Sequence, residues 1–124
     1  MASEIFNNNT LSKENESVKL YALLTIGTSG AVTKTRGKGI ASAALSTTGT
    51  YVLTLDSKYT RLLNLTGTVR RSTWAALAVQ ILAETVASTK TITIGIGDYD
   101  TTALTEPTSG DLFYIEVTLG NTTD

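Results

Sequence analysis

Four stretches of the chain alternate apolar and polar positions with a period of two. In Val18–Ile26, Val18, Leu20, Ala22, Leu24 and Ile26 share one side, while Lys19, Tyr21, Leu23 and Thr25 share the other. Tyr51, Leu53 and Leu55 alternate with Val52, Thr54 and Asp56, and Thr91–Ile96 repeats threonine and isoleucine with Gly95 in one polar slot. Phe113, Ile115, Val117 and Leu119 oppose Leu112, Tyr114, Glu116 and Thr118 over Asp111–Leu119. This period places successive side chains on opposite faces of a strand, so each stretch predicts a half-buried β-strand. Turn formers punctuate them: Gly27-Thr28-Ser29-Gly30, Ser46-Thr47-Thr48-Gly49, Ala87-Ser88-Thr89-Lys90, and a long polar loop from Gly97 to Gly110 that holds Pro107. A tight hairpin at Ser46–Gly49 needs a positive φ, and Gly49 is the residue that supplies it.

Weaker patterns fill the gaps. Ala31–Thr35 predicts a short strand that ends in a basic loop, Arg36-Gly37-Lys38-Gly39. The glycines there predict a β-bulge or corner; no GxxxxGK pattern precedes them and no helix signal follows, which argues against a phosphate cradle. Ile40–Leu45 is alanine-rich, small enough on both faces to let another chain approach. Lys58–Leu63, with Tyr59, Leu62 and Leu63 at spacings of three and four, predicts one helical turn capped by Asp56 or Ser57. Leu65–Arg71 predicts a strand. Residues 74–84 fit a helix and a strand alike, and the short connection to Thr91 favours the strand. The expected fold is all-β: a single-domain sandwich or barrel of seven or eight mainly antiparallel strands over residues 18–124, with an extended polar arm at 1–17.

Composition narrows the function. The chain has 124 residues, enough for one cored domain, and lacks both cysteine and histidine. Disulfides, thiol nucleophiles, imidazole metal sites and a Ser-His-Asp triad are therefore excluded. Asp98-Tyr99-Asp100 with Glu106 offers oxygen ligands, but without the spacing of a calcium-binding EF-hand loop. We expect no enzyme, no cofactor and no bound metal. No basic start followed by an apolar run opens the chain, and no stretch approaches the ~20 apolar residues of a spanning helix, so no membrane partner is expected. Charge is unevenly placed: after Lys90 every charged residue is acidic, while Lys34, Arg36 and Lys38 cluster early. This reads either as solvated loops or as complementary patches on neighbouring copies. Nucleic acid is a poor expectation, because so few cations without an aromatic platform make a weak phosphate track. Within the arm, Ile5, Phe6 and Leu11 are the large apolar groups; it reads equally as a frayed terminus or as a segment that orders on a partner. Apolar residues on both faces of several strands, Tyr21, Leu23, Leu82, Leu112 and Tyr114 among them, predict a second contact beyond the core.

The run GKGIASAALSTTGTYVLTLDSKYTRLLNLTGTV, then AVQILAETVASTKTITIGI, then EPTSGDLFYIEVTLGNTT, resembles the capsid decoration, or cement, proteins of tailed bacteriophages over residues 18–123. The shared features are the glycine-rich loop before an alanine and serine strand, a G-x-Y-x-x-x-L-D hairpin, a Tyr-x-x-Leu-Leu turn, and an acidic-proline loop into the last strand. The resemblance implies a subunit made in the host cytoplasm and mounted on the outside of the virion. Its partners would be the major capsid protein and itself, as a homotrimer. Under this expectation Ile5, Phe6 and Leu11 reach the shell, and Tyr21, Trp74 and Tyr114 lie at or near subunit contacts, with Arg36 and Lys38 of the basic loop as further interaction residues. Two alternatives stand beside it: a phage tail or fibre component, and an adhesive or carbohydrate-binding domain using Trp74 and the Asp98–Glu106 loop.

Overall fold

The computed structural model describes residues 17–98, 100, 103–105 and 107–120. Among them are nine strands: β1 (Ser17–Ile26), β2 (Val32–Lys38), β3 (Ile40–Thr47), β4 (Thr50–Leu55), β5 (Arg61–Arg70), β6 (Leu77–Thr85), β7 (Thr91–Asp98), β8 (Ala103–Leu104) and β9 (Leu112–Gly120). They build a β-sandwich of two antiparallel sheets. The first sheet has the order β2-β1-β9-β5; the second runs β3-β4-β7-β6, with the short β8 also paired to β7.

The alternating rows explain why these layers close on each other. β4 and β7 turn Tyr51, Leu53, Leu55, Ile92, Ile94 and Ile96 inward, and β1 and β9 turn Leu24, Ile26, Phe113, Val117 and Leu119 inward, all buried. Each such side chain contributes about 1.5–3 kcal/mol relative to leaving it in water. The edge strands add much less, with Ile40 of β3 and Leu65 of β5 their buried apolar residues.

Two devices join the sheets. Between β2 and β3 only Gly39 intervenes, so the chain changes sheet within a residue. Gly37 and Gly39 hold φ of 120° and 92°, and a Cβ on Gly37 would lie 2.2 Å from the Tyr21 carbonyl oxygen. No other residue type fits that approach. A register shift between Leu23 and Leu24 adds a bulge to the same strand, and Lys34 Nζ donates to the carbonyls of Gly37 (3.1 Å) and Ile40 (2.7 Å). The expected bulge and corner are thus present, although Arg36 and Lys38 stand in a strand and not in a loop. The second device is Tyr51, whose buried hydroxyl donates to the Gly30 carbonyl at 2.9 Å. It ties β4 of one sheet to the 3-10 turn, Thr28–Gly30, that follows β1 of the other.

Other expectations change. Lys58–Leu63 is not a helical turn: Arg61–Arg70 is one long strand paired to β9, and hydrogen bonds along that partner outweigh the local helical spacing. Residues 74–84 resolve in favour of a strand, but it starts at Leu77, leaving Trp74 on the connection. The loop after β7 contains the two-residue β8, which brings the count to nine. Gly49 closes the β3–β4 hairpin with φ 70°, as the turn required.

Two variants probe this frame by denaturant unfolding. Tyr51→Phe leaves the buried Gly30 carbonyl without that donor and should cost about 1–3 kcal/mol. Gly49→Ala sets a Cβ 2.7 Å from the Ile96 carbonyl oxygen at a positive φ, and should cost roughly 2–4 kcal/mol.

Candidate interaction surfaces

The outward row of the first sheet gathers side chains that lie far apart in sequence. Register places Lys38, Tyr21, Glu116 and Thr66 side by side across the four strands, and Arg36, Leu23, Tyr114 and Thr68 in the adjacent row. Tyr21 is 56% exposed and Tyr114 42% exposed. Arg70 Nη1 donates to the Tyr114 hydroxyl at 3.3 Å, and Lys19 Nζ lies 3.5 Å from Glu116 Oε1. A shallow groove of about 360 Å³ runs between Tyr21, Leu23, Arg36, Thr66 and Tyr114. Four of the residues expected at contacts, Tyr21, Arg36, Lys38 and Tyr114, therefore share one face.

The second sheet carries a separate apolar patch. Gly95 points outward from β7, and Leu82 and Leu104 close over it, each with a Cδ atom 3.0 Å from where a Cβ would stand. A register shift between Ile81 and Ala83 makes Leu82 the extra residue and turns it onto this outer face. Leu82 and Leu104 remain 44% and 48% exposed. Asp98 borders the patch, and its Oδ1 accepts from the Asp100 amide at 2.9 Å. Sequence reasoning named Leu82 but missed Leu104 and Gly95. The legible signal was glycine in an outward slot of a strand, which leaves room for side chains from neighbouring segments to cross it.

Trp74 marks a third place, at the end of the sandwich where β5 passes to β6. It is 89% exposed. The adjoining Arg71 is anchored: its Nε and Nη2 donate to Asp111 Oδ2 at 3.0 and 2.6 Å, and the Thr108 amide donates to the same oxygen at 2.8 Å. Asp111 is buried, and its backbone oxygen accepts from the Ile26 amide. Asp111 thus fixes the β5–β6 connection and the loop before β9 through its carboxylate, and the end of β1 through its backbone oxygen. Its hydrogen bond holds the Arg71 guanidinium above the usual arginine value, against the opposing effect of burial. Asp98 pairs with Leu77, so Trp74 and the acidic loop share this end. No group of three His, Cys, Asp or Glu side chains among the described residues is arranged to hold a metal ion. Ile5, Phe6 and Leu11 lie outside the described residues. The chain emerges into β1 at Ser17, opposite Gly120, at the end of the sandwich remote from Trp74.

These surfaces are shallow and offer rings, aliphatic groups and cations, which suits contact with macromolecules. Comparison of the chain with protein-family models, curated proteins and solved structures finds no match.

Breaking a mostly buried pair by removing one partner is costly, and with Arg71 partly in solvent the expected loss for Asp111→Ala is roughly 2–4 kcal/mol. A raised cation pKa contributes stability that is complete below the unfolded value and lost only as pH climbs through the folded one. For Arg71 that window lies above the usual arginine value, far into alkaline pH. The destabilisation caused by Arg71→Ala, measured by urea unfolding, should therefore be equal at pH 7 and pH 10.

Proposed function

We propose that this chain is a non-enzymatic structural subunit of a tailed-phage virion, seated on the outside of the head, where it bridges neighbouring major capsid subunits. The observation that carries the reading is the distribution of exposed large apolar groups. The five most exposed occur at three separate places: Tyr21 and Tyr114 on one face, Leu82 and Leu104 on the other, and Trp74 at one end. An isolated monomer has no evident use for the exposed rings of Tyr21, Tyr114 and Trp74, and a binary complex uses one patch. A subunit held in a lattice uses several, and modest contacts repeated over it add up to firm attachment. The phage assignment itself comes from the resemblance of residues 18–123, which also implies self-association, as a trimer, and attachment through the arm with Ile5, Phe6 and Leu11.

A second reading, an adhesive or carbohydrate-binding domain, draws on the shared end of Trp74 and the Asp98 loop. A rise in melting temperature with Ca²⁺ or with sugar would favour it.

The direct test is the protein content of purified DNA-filled heads, where the chain should occur in fixed proportion to the major capsid subunit. Deleting residues 1–15 should remove it from expanded heads with the melting temperature unchanged. Trp74→Ala should weaken head binding at least about tenfold, as loss of an exposed aromatic anchor does. Full occupancy by the truncated chain would rule out attachment through the arm, and absence of the chain from heads would overturn the reading.

A further inference from the structure

Four strands stand at the ends of the two sheets: β2 and β5 in the first, β3 and β6 in the second. An edge strand presents unpaired N–H and C=O groups, which natural sheets guard with charge, proline or bulges. β2 carries Lys34, Arg36 and Lys38, β5 carries Arg61 and Arg70, and β6 carries Glu84 and a bulge in mid-strand. β3, Ile-Ala-Ser-Ala-Ala-Leu-Ser-Thr, has no charge and no proline. Its register shifts fall toward its two ends, so Ser42–Leu45 pair with β4 in unbroken order. Among the described residues no strand pairs with its other side. Next to it, on the same side of the sandwich, β2 brings cations that no described carboxylate pairs. Lys34 is one of them: its Nζ donates to the carbonyls of Gly37 and Ile40 and keeps a third N–H for an anion.

We infer that the open side of β3 is the seat of this chain's own N-terminal arm, which adds to the second sheet as a strand antiparallel to β3. A row of backbone donors and acceptors selects an extended segment. Direction and reach select the arm. β1 and β3 run the same way: Gly39 enters β3 beside Leu20, near the start of β1, and Tyr51, paired with Leu45 near the end of β3, reaches Gly30 just past the end of β1. A segment that lies along β3 and ends at Ser17 therefore runs antiparallel to it, the more stable pairing. At ordinary strand and sheet spacings roughly 20 Å separates Ser17 from the open side of Ile40, a span of about six extended residues. Of the sixteen residues before Ser17, about ten then remain for the eight of β3, Ile5 and Phe6 among them. Charge agrees, because the arm holds Glu4, Glu14 and Glu16 against Lys13 and passes the cations of β2 on its way. A second copy fits worse. Two β3 edges joined about a two-fold would also set β2 against β2, cation to cation, and like charges across a contact are strongly unfavourable. Tethering gives the arm an effective concentration on the order of millimolar. The inference goes beyond the proposed function, since it concerns the free chain; on a head, the shell and β3 would compete for one arm.

The test is amide hydrogen exchange, followed residue by residue in β3 by NMR, on the full chain and on the chain lacking residues 1–15. A strand held at one edge opens well before the sandwich unfolds, so exchange reads it where a melting temperature does not. The outward amides of Ala41–Ser46 should exchange at least about tenfold faster after the deletion, with those of β5 and β6 unchanged. Asn7→Pro with Asn8→Pro keeps the arm's length, removes a donor from each of its sides and should have the same effect, so the result does not hang on the truncated chain folding. Glu14→Lys with Glu16→Lys should speed exchange about two- to fivefold. Equal exchange with and without the arm, protection that survives the proline pair, or indifference to the carboxylate reversal would each overturn the inference. So would protection that rises with protein concentration, which places the arm on another copy. None of these outcomes bears on whether the chain occurs on heads, so the proposed function is tested separately.

Discussion

The structure depends on one constraint: the inward rows of β1, β9, β4 and β7 have to bury each other completely. Those strands occupy the middle of each sheet, and their isoleucines, leucines, Tyr51 and Phe113 are sealed from water. Register follows from this. A slip of one residue in β9 would put Tyr114 and Glu116 into the core and Phe113 and Ile115 outside. With the centre fixed so firmly, the edge strands are released from most of the core's demands. β2, β5 and β6 can each carry a register shift, and β6 can turn Leu82 outward at no cost to the interior.

The corner at Gly39 has a consequence beyond connectivity. Because β2 ends there and β3 begins in the other sheet, the cations that precede the corner stay on the first sheet and the alanine-rich segment that follows it goes to the second. The two glycines therefore sort charge as well as chain direction. Replacing either would meet backbone or a leucine at under 2.5 Å. The corner is held by Lys34, whose ammonium serves two carbonyls, so it is a structural cation while Arg36 and Lys38 remain directed outward.

Much of this was legible in the chain, for a physical reason. Wherever one face is buried and the other wet, a strand must alternate, and Val18–Ile26, Tyr51–Leu55, Thr91–Ile96 and Phe113–Leu119 do so visibly. Gly49 and the Arg36–Gly39 corner were legible because positive φ leaves a glycine signature. The Tyr59, Leu62, Leu63 spacing misled because Leu63 is the extra residue of a bulge, and a bulge imitates a break in the period of two. Convergence was less visible. Tyr21, Arg36 and Tyr114 are neighbours only through the β2-β1-β9 order, and no local pattern encodes strand order. The Leu104 patch was hidden for a related reason: a two-residue strand has no period to detect.

The exposed apolar residues are not equivalent, and the difference bears on their meaning. Leu82 and Leu104 have an internal task, since they cover the backbone at Gly95, where the missing side chain would otherwise leave a strand open to water. Some of their exposure is the incidental rim of that cover. Tyr21 and Leu23 have no such task. They stand on the outside of a central strand whose inner face already packs the core, and Glu116 and Tyr114 are their neighbours across the ladder. Threonine, abundant elsewhere in this chain, would satisfy the strand there as well. Stability of the isolated domain gives only a small reason for a tyrosine and a leucine at these two positions, the cross-strand pair of Leu23 with Tyr114 contributing roughly 0.2–1 kcal/mol. A surface that is covered in the working assembly gives a larger one, because aromatic and aliphatic groups gain most when water is removed from both sides of a contact. On this ground the face of the first sheet is the stronger candidate surface for the function proposed above, and the Leu82–Leu104 patch is first a structural cover.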